Sequence, residues 1–229
     1  MLTPTYKAYQ FGTCMSLTEV QMNLLIGFFS QPPSISGAVL GGRNSAGYHR
    51  LETLGPVAVK HYKRGGLLGR LVKSRYMKWG KTRSQLEFEL LQKARGLGIH
   101  VPEPLIYASR GRLIYRAWLV TREINTPLSL SRLSLDDEKR TRQVMASVIE
   151  QISRLIDNRI MHVDLHPGNV VVDRKDRAFL LDFDKGKIYR GHKTRLRDRY
   201  IKRWQRAVSK HGLPELLTEM LKVGLQDVP

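Results

Sequence analysis

The chain is short of cysteine, of acid and of long apolar runs, and each shortage excludes something. Cys14 is the single cysteine in 229 residues, so no intramolecular disulfide can form and a reducing compartment is expected. The longest apolar stretch near the start, Leu24 to Phe29, falls far below the ~18 residues a membrane-spanning helix needs. Any membrane attachment is therefore expected to be peripheral. Lys7 is the one early cationic side chain and no small-residue cleavage site follows an apolar core, so a secretory signal is not expected. Acidic residues number 20 against 39 lysines and arginines, a net charge of +19, which points to anionic partners.

What is present is enough for one substantial domain. A chain of 229 residues with 41% hydrophobic content buries a sizeable core and leaves little room for a second one. In its second half, Met161-His162-Val163-Asp164-Leu165-His166-Pro167-Gly168-Asn169 precedes Leu181-Asp182-Phe183-Asp184-Lys185-Gly186. In phosphoryl transfer an aspartate orients and deprotonates the attacking hydroxyl. An asparagine shortly after it and a later aspartate hold the metal ions that bridge the nucleotide's phosphates. Asp164 fits the catalytic base, and Asn169 with Asp182 fit the Mg²⁺ ligands, with Asp184 placed to share the metal. Asn169 to Asp173 and Ala178 to Asp182 read as two short strands around a polar turn at 174–177, and that hairpin would bring Asn169 and Asp182 together. Either acidic pair alone would be a chance strand cap; their order and spacing together favour the site. His162 is expected to brace the loop, and His166 is unassigned.

A site of this kind also needs a strand lysine for the phosphates and a helical glutamate to hold it. Val57-Ala58-Val59-Lys60 supplies the lysine strand, making Lys60 the candidate. Leu86, Leu90, Leu91 and Ala94 fall at helical spacing beside Glu87 and Glu89; Glu87 is the first choice of partner and Glu89 the second. An ordinary solvated lysine and glutamate remain the alternative. The glycine-rich Gly37 to Gly47 precedes this strand, where Gly41 and Gly42 would let backbone N–H groups approach phosphate, with Arg43, Asn44 and Ser45 adding polar contacts. A hairpin turn accounts for the same glycines. Gly98 to Pro104 ends the helix and leads to a long strand over 113–124, where Glu123 and Ile124 stand as a hinge for adenine. Ser134 and Asp137 read as a capping signal for a helix whose core stripe is Val144, Val148, Ile152 and Leu155.

Four blocks make the chain resemble the lipopolysaccharide kinase family, and within it the 3-deoxy-D-manno-octulosonic acid (Kdo) kinases. They are His61 to Arg70 with its Arg64-Gly65-Gly66-Leu67 run, Glu87 to Leu91 with Val101 to Pro104, Leu119 to Ile124, and the two catalytic blocks. Kdo kinases tend to read H-A-D-L-N-x-H-N in the catalytic loop, whereas this chain reads like other sugar and antibiotic kinases there, which bears on the acceptor more than on the chemistry. The resemblance implies an α+β, two-lobed protein-kinase-like fold with a reduced C-terminal lobe. The expected division is an extension over 1–34, a small lobe of sheet and helix over 35–124, and a C-terminal lobe over 125–229. No A-P-E-like segment follows Asp182, so a small or lipid-linked acceptor is expected over a peptide. Residues 1–34 are expected to form an added helix or to be partly disordered.

The cations concentrate in two stretches, Lys60 to Arg83 with no acidic residue, and Lys187 to Lys210 with Asp198 alone opposing. In the second, Leu196, Tyr200, Trp204 and Val208 share one helical face, while Arg195, Arg199, Lys202, Arg203 and Arg206 lie mostly elsewhere. This is a basic amphipathic helix for an anionic membrane surface, or a core helix with a solvated face, and both hold if the apolar face docks on the domain. Nucleic acid would suit the charge, but no motif accompanies it. The resemblance therefore implies an ATP- and Mg²⁺-dependent kinase acting on Kdo of a lipid A precursor. It would be a monomer, peripheral on the cytoplasmic face of a bacterial inner membrane. A different acceptor (a core heptose, a small molecule or a protein serine) and a non-catalytic binder of anionic lipid or nucleic acid are the alternatives.

Overall fold

The structure, a computed structural model, describes residues 1–31, 46–52, 54–62, 76–77, 80–125 and 128–226. The glycine-rich candidates Gly41 and Gly42, with Arg43 to Ser45, lie outside the described residues, as does most of the first basic stretch. The chain is mixed α and β and divides into two compact units, Met1–Glu89 with Glu103–Glu123, and Leu90–Pro102 with Ile124–Pro229.

The first unit holds β1 (Thr5–Tyr6), β2 (Tyr9–Thr13), α1 (Glu19–Ser30), β3 (Ala46–Leu51), β4 (Gly55–His61), β5 (Tyr76–Met77), the start of α2 (Arg83–Gly96), β6 (Pro104–Arg110) and β7 (Ile114–Arg122). Among the described residues its strands form one sheet in the order β1-β2-β6-β7-β4-β3, with β5 also paired to β7. Alternation along the strands decides what faces what. Val57 and Val59 of β4, Ile106 and Ala108 of β6, and Trp118 and Val120 of β7 join Met22, Leu25 and Phe29 of α1 in one core. Phe29 stacks on Trp118 with ring centroids 4.8 Å apart. Residues of the other parity belong to α2: Phe88 meets the Tyr107 ring edge-on at 5.3 Å, and the Ser84 hydroxyl donates to the Ala108 carbonyl. Lys60 and Tyr62 share that parity.

The opening segment, for which the sequence offers an added helix or partial disorder, contains that helix and two strands that extend the sheet. Thr18 caps α1 by accepting from the Gln21 N–H, and the Gln21 side chain returns to the Thr18 N–H, a reciprocal capping box.

The second unit holds the end of α2, then β8 (Leu128–Ser129), α3 (Leu130–Asp136), α4 (Glu138–Asp157), β9 (Ile160–Met161), β10 (Val170–Val172), β11 (Ala178–Leu180), β12 (Lys187–Ile188), α5 (Lys193–Lys210) and α6 (Leu216–Gly224). α2 ends at Gly96, and the chain turns away from it at Gly98, whose φ of +73° favours glycine. The Ile99 N–H then reaches the Ala94 carbonyl at 3.0 Å. A side chain at Gly98 would begin 2.4 Å from Arg154 Nη1. The helix stripe Val144, Val148, Ile152 and Leu155 is buried in α4, but the capping signal is displaced. Ser134 sits inside α3 and donates to the Ser131 carbonyl; Asp137, at φ −149°, breaks the chain and caps α4 through the Arg140 N–H.

Candidate functional site

In the first unit, β4 carries Lys60 and α2 carries Glu87, and their side chains meet in a two-pronged contact of 2.8 Å to each carboxylate oxygen. Tyr62, one side chain further along the same face, donates its hydroxyl to Glu87 Oε2 at 2.5 Å. Glu87 is 4% exposed, so its charge must be paired where it lies. Glu89, about 200° further round a 3.6-residue helix, pairs instead with Lys81 and the Gln85 amide. At the end of β7, the Glu123 N–H is spent on the Pro56 carbonyl at 3.1 Å. Burial, and then the Glu123 carboxylate, hold the Tyr48 phenol above its ordinary range. Ile124, half-buried, follows at the start of the second unit's main segment.

In the second unit, the candidate catalytic stretch is fixed at its start by β9 pairing with β12. The Tyr200 hydroxyl of α5 donates to the Ile160 carbonyl at 2.6 Å and accepts from the His162 N–H at 2.9 Å. Burial pushes that phenol well above its usual range. His162 is buried and ties the two sequence blocks together. Its Nδ1 accepts from the Asp164 N–H at 3.2 Å and its Nε2 meets the Leu181 carbonyl at 2.7 Å, so the tautomer with Nε2–H is the one that satisfies both bonds. The ring also stands edge-on to Phe183.

Asn169 ends the short helical turn at Pro167–Asn169 and donates its side-chain amide to the Asp164 carbonyl at 2.8 Å. Its own carbonyl accepts from the Leu181 N–H at 2.8 Å, continuing the antiparallel hairpin of β10 and β11, in which Val170 faces Leu180. The hairpin therefore brings Asn169 to the residue beside Asp182. Asp182 adopts a left-handed φ of +60°, a strained conformation of the kind that persists at functional sites. The turn after it closes with the Gly186 N–H on the Phe183 carbonyl, and a side chain at Gly186 would begin 2.5 Å from Leu90. Among the described residues there is no group of three His, Cys, Asp or Glu placed to hold a metal. Asn169 and Asp182 offer hard oxygens from two residues. That donor set suits Mg²⁺, which binds through one or two protein oxygens and completes its shell with phosphate and water.

Three contacting residues escape sequence reasoning. Tyr62 reads as one aromatic in a basic stretch, and Tyr200 as core. Arg203, assigned by the sequence to the basic face of its helix, instead donates Nη2 to Asp164 Oδ1. The available signal is that Arg203 lies three residues after Tyr200 and so shares its side of α5. His166 has its Nδ1 on the Gly168 N–H, and its pKa is lowered chiefly by burial. The carboxylates of Asp164 and Asp182 oppose that shift, while Arg203 and His211 add to it. The rest of α5 buries Leu196, Tyr200, Trp204 and Val208, while Arg195, Arg199, Lys202 and Arg206 are exposed. No helix among the described residues is long and apolar enough to cross a membrane.

The profile of the lipopolysaccharide kinase (Kdo/WaaP) family matches residues 39–222. A 3-deoxy-D-manno-octulosonic acid kinase of Vibrio parahaemolyticus is 35% identical over 148 residues, 63% of this chain and 61% of the relative. One of Photobacterium profundum is 34% identical, over 69% of this chain and 67% of the relative. One of Xylella fastidiosa is 29% identical over 92% of this chain and 85% of its own length. The match to the first of these thus spans about three fifths of that relative.

Proposed function

The chain belongs to the lipopolysaccharide kinase (Kdo/WaaP) family, and from that premise we propose that it transfers the γ-phosphoryl group of ATP to a hydroxyl of Kdo on a lipid A precursor. The observation that carries the reading is the knot in the second unit: His162 and Asn169 each bind Asp164 and each reach Leu181, the neighbour of Asp182. The relatives named as Kdo kinases support the acceptor. A two-lobed, kinase-like arrangement with a reduced C-terminal lobe belongs to the same proposal.

In this mechanism Lys60 pairs with phosphate oxygens, its ammonium held in place by Glu87 and, behind it, Tyr62. Asp164 orients the sugar hydroxyl and takes its proton as the oxygen bonds to the γ-phosphorus, and the bond from that phosphorus to the bridging oxygen breaks to release ADP. Asn169 Oδ1 and the Asp182 carboxylate would hold Mg²⁺, which supplies charge neutralisation on the phosphates. Glu123 and Ile124 present backbone to adenine, and Gly41 with Gly42 cover the phosphates. Positioning and charge account for most of the acceleration, because the phosphoryl group itself needs little covalent help. The exposed cations of α5 meet anionic headgroups and keep the protein, as a peripheral monomer, on the cytoplasmic face of the inner membrane.

The test is Mg²⁺-dependent transfer of labelled γ-phosphate to Kdo-bearing lipid A precursor, with precursor lacking Kdo and a generic protein in parallel. Label is expected on the Kdo acceptor alone. Asp164→Asn should lower turnover by about 10³-fold or more while ATP still raises the melting temperature. Label on the Kdo-free precursor or on protein would overturn the acceptor, retained turnover in Asp164→Asn would overturn the base, and ATP binding without any transfer would favour a non-catalytic binder.

A further inference from the structure

Asp164 makes a side-chain contact that a base does not need. Arg203 of α5 donates Nη2 to Asp164 Oδ1, with the two side chains 35% and 49% exposed. An ion pair so open to water contributes little to folding. Nor does α5 need it as an anchor, because Tyr200 already clamps the helix to Ile160 and His162, and Trp204 Nε1 donates to the Leu217 carbonyl at 3.1 Å. On stability alone the contact is superfluous. Nor does the single contact use up the arginine, because a guanidinium has further N–H donors to give.

The contact has a purpose if the guanidinium is shared. Arginine carries five N–H donors in a planar fork that matches a carboxylate, and among the described residues only Nη2 is engaged. A second carboxylate on the remaining donors would be held at a fixed distance from Asp164. His166 stands beside the pair with Nδ1 occupied by the Gly168 N–H, and burial favours its uncharged form, so it presents a neutral N–H donor. His211, at the end of α5, and Asp182 are the other titratable groups that His166 feels there.

Resting on the transfer reaction proposed above, we infer that Arg203 is a specificity-determining residue that binds the acid group of the acceptor sugar while remaining on Asp164. The guanidinium then measures the distance from the acceptor's carboxylate to the hydroxyl that Asp164 deprotonates. A sugar lacking the acid leaves the hydroxyl unplaced. The ligand class is a sugar acid, with a hydroxyl across the ring from its carboxylate.

The test compares Kdo-bearing lipid A precursor with the same precursor carrying the Kdo carboxylate as its methyl ester, in the native protein, Arg203→Ala and Arg203→Lys. The native protein should prefer the acid by about 10- to 100-fold in kcat/KM, the value of charge-assisted hydrogen bonds, mostly through KM. Arg203→Ala should lose that preference by raising KM for the acid, and Arg203→Lys should recover part of it. A rise in melting temperature with ATP shows that each variant is folded. Equal use of acid and ester by the native protein would overturn the inference and leave the transfer reaction standing. A preference retained in Arg203→Ala would overturn it equally. No transfer to either acceptor by the native protein would overturn both. The ester comparison needs no variant, so a misfolded substitution leaves the inference open to refutation.

Discussion

Glu87 takes contacts from Lys60 and Tyr62 in a place almost closed to water. Removing one donor from a buried carboxylate costs more than the bond alone, because the charge stays behind. Tyr62→Phe should therefore lower unfolding free energy by about 1–3 kcal/mol and raise KM for ATP more than it lowers kcat, as denaturation and steady-state kinetics would show. Asp173 gives a pH prediction. Burial pushes its carboxyl up, but hydrogen bonds from the Arg177 side chain and from the Arg177 and Lys175 N–H groups outweigh burial and leave it below the ordinary range. Its contribution is thus complete above the unfolded carboxylate value of about 4 and is lost as pH falls through the lower native value. Asp173→Asn should cost about 1–3 kcal/mol at pH 7, a difference that shrinks in urea titrations as pH drops below the unfolded carboxylate value of about 4. The Lys60–Glu87 contact and the approach of Asn169 to Leu181 are legible in the sequence, because a strand, a helix and a hairpin pattern place them. Tyr62 and Arg203 are not, because their partners lie 25 and 39 residues away and no local pattern encodes the meeting.

Among the elements, the hairpin of β10 and β11 and the stripe of α4 follow directly from apolar periodicity. The cap of α4 does not. Ser134-x-x-Asp137 has the form of a capping box, but Leu130 and Leu133 draw the preceding turn into α3 by burial, so Ser134 becomes interior and Asp137 takes the cap. The apolar face of α5 is equally readable, whereas its polar hold on the candidate catalytic stretch, through Tyr200 and Arg203, is not marked by that periodicity. Tyr200→Phe removes a donor to Ile160 and an acceptor for His162. It should destabilise by about 1–3 kcal/mol and lower kcat for the proposed transfer. A melting temperature and kcat equal to those of the native protein would refute that positioning role.

For the molecule as a whole, the net charge of +19 predicts that vesicles containing anionic lipid retain the protein at 50 mM salt and release it near 500 mM, because screening shortens the reach of surface charge. Arg195, Arg199, Lys202 and Arg206 are four of the five exposed cations on α5, the other being Lys210 at its end. Replacing them with glutamine should weaken vesicle binding by about 1 kcal/mol per residue, measured by sedimentation against neutral lipid; unchanged binding would remove α5 from the surface. The mixed fold is readable from alternating strand and helix patterns, but the place of β1 and β2 in the sheet is not, because it depends on a neighbour, β6, that lies far along the chain. That order has a consequence for biosynthesis. β2 and β4 leave the ribosome early, yet β6 and β7, which separate them in the finished sheet, emerge only when Arg122 does. Until then β2 and β4 each show a bare strand edge, so the nascent chain has two sticky margins for the length of time it takes to synthesise the middle of its own sheet. Slowing translation between Thr13 and Arg122 should therefore increase its demand for chaperones.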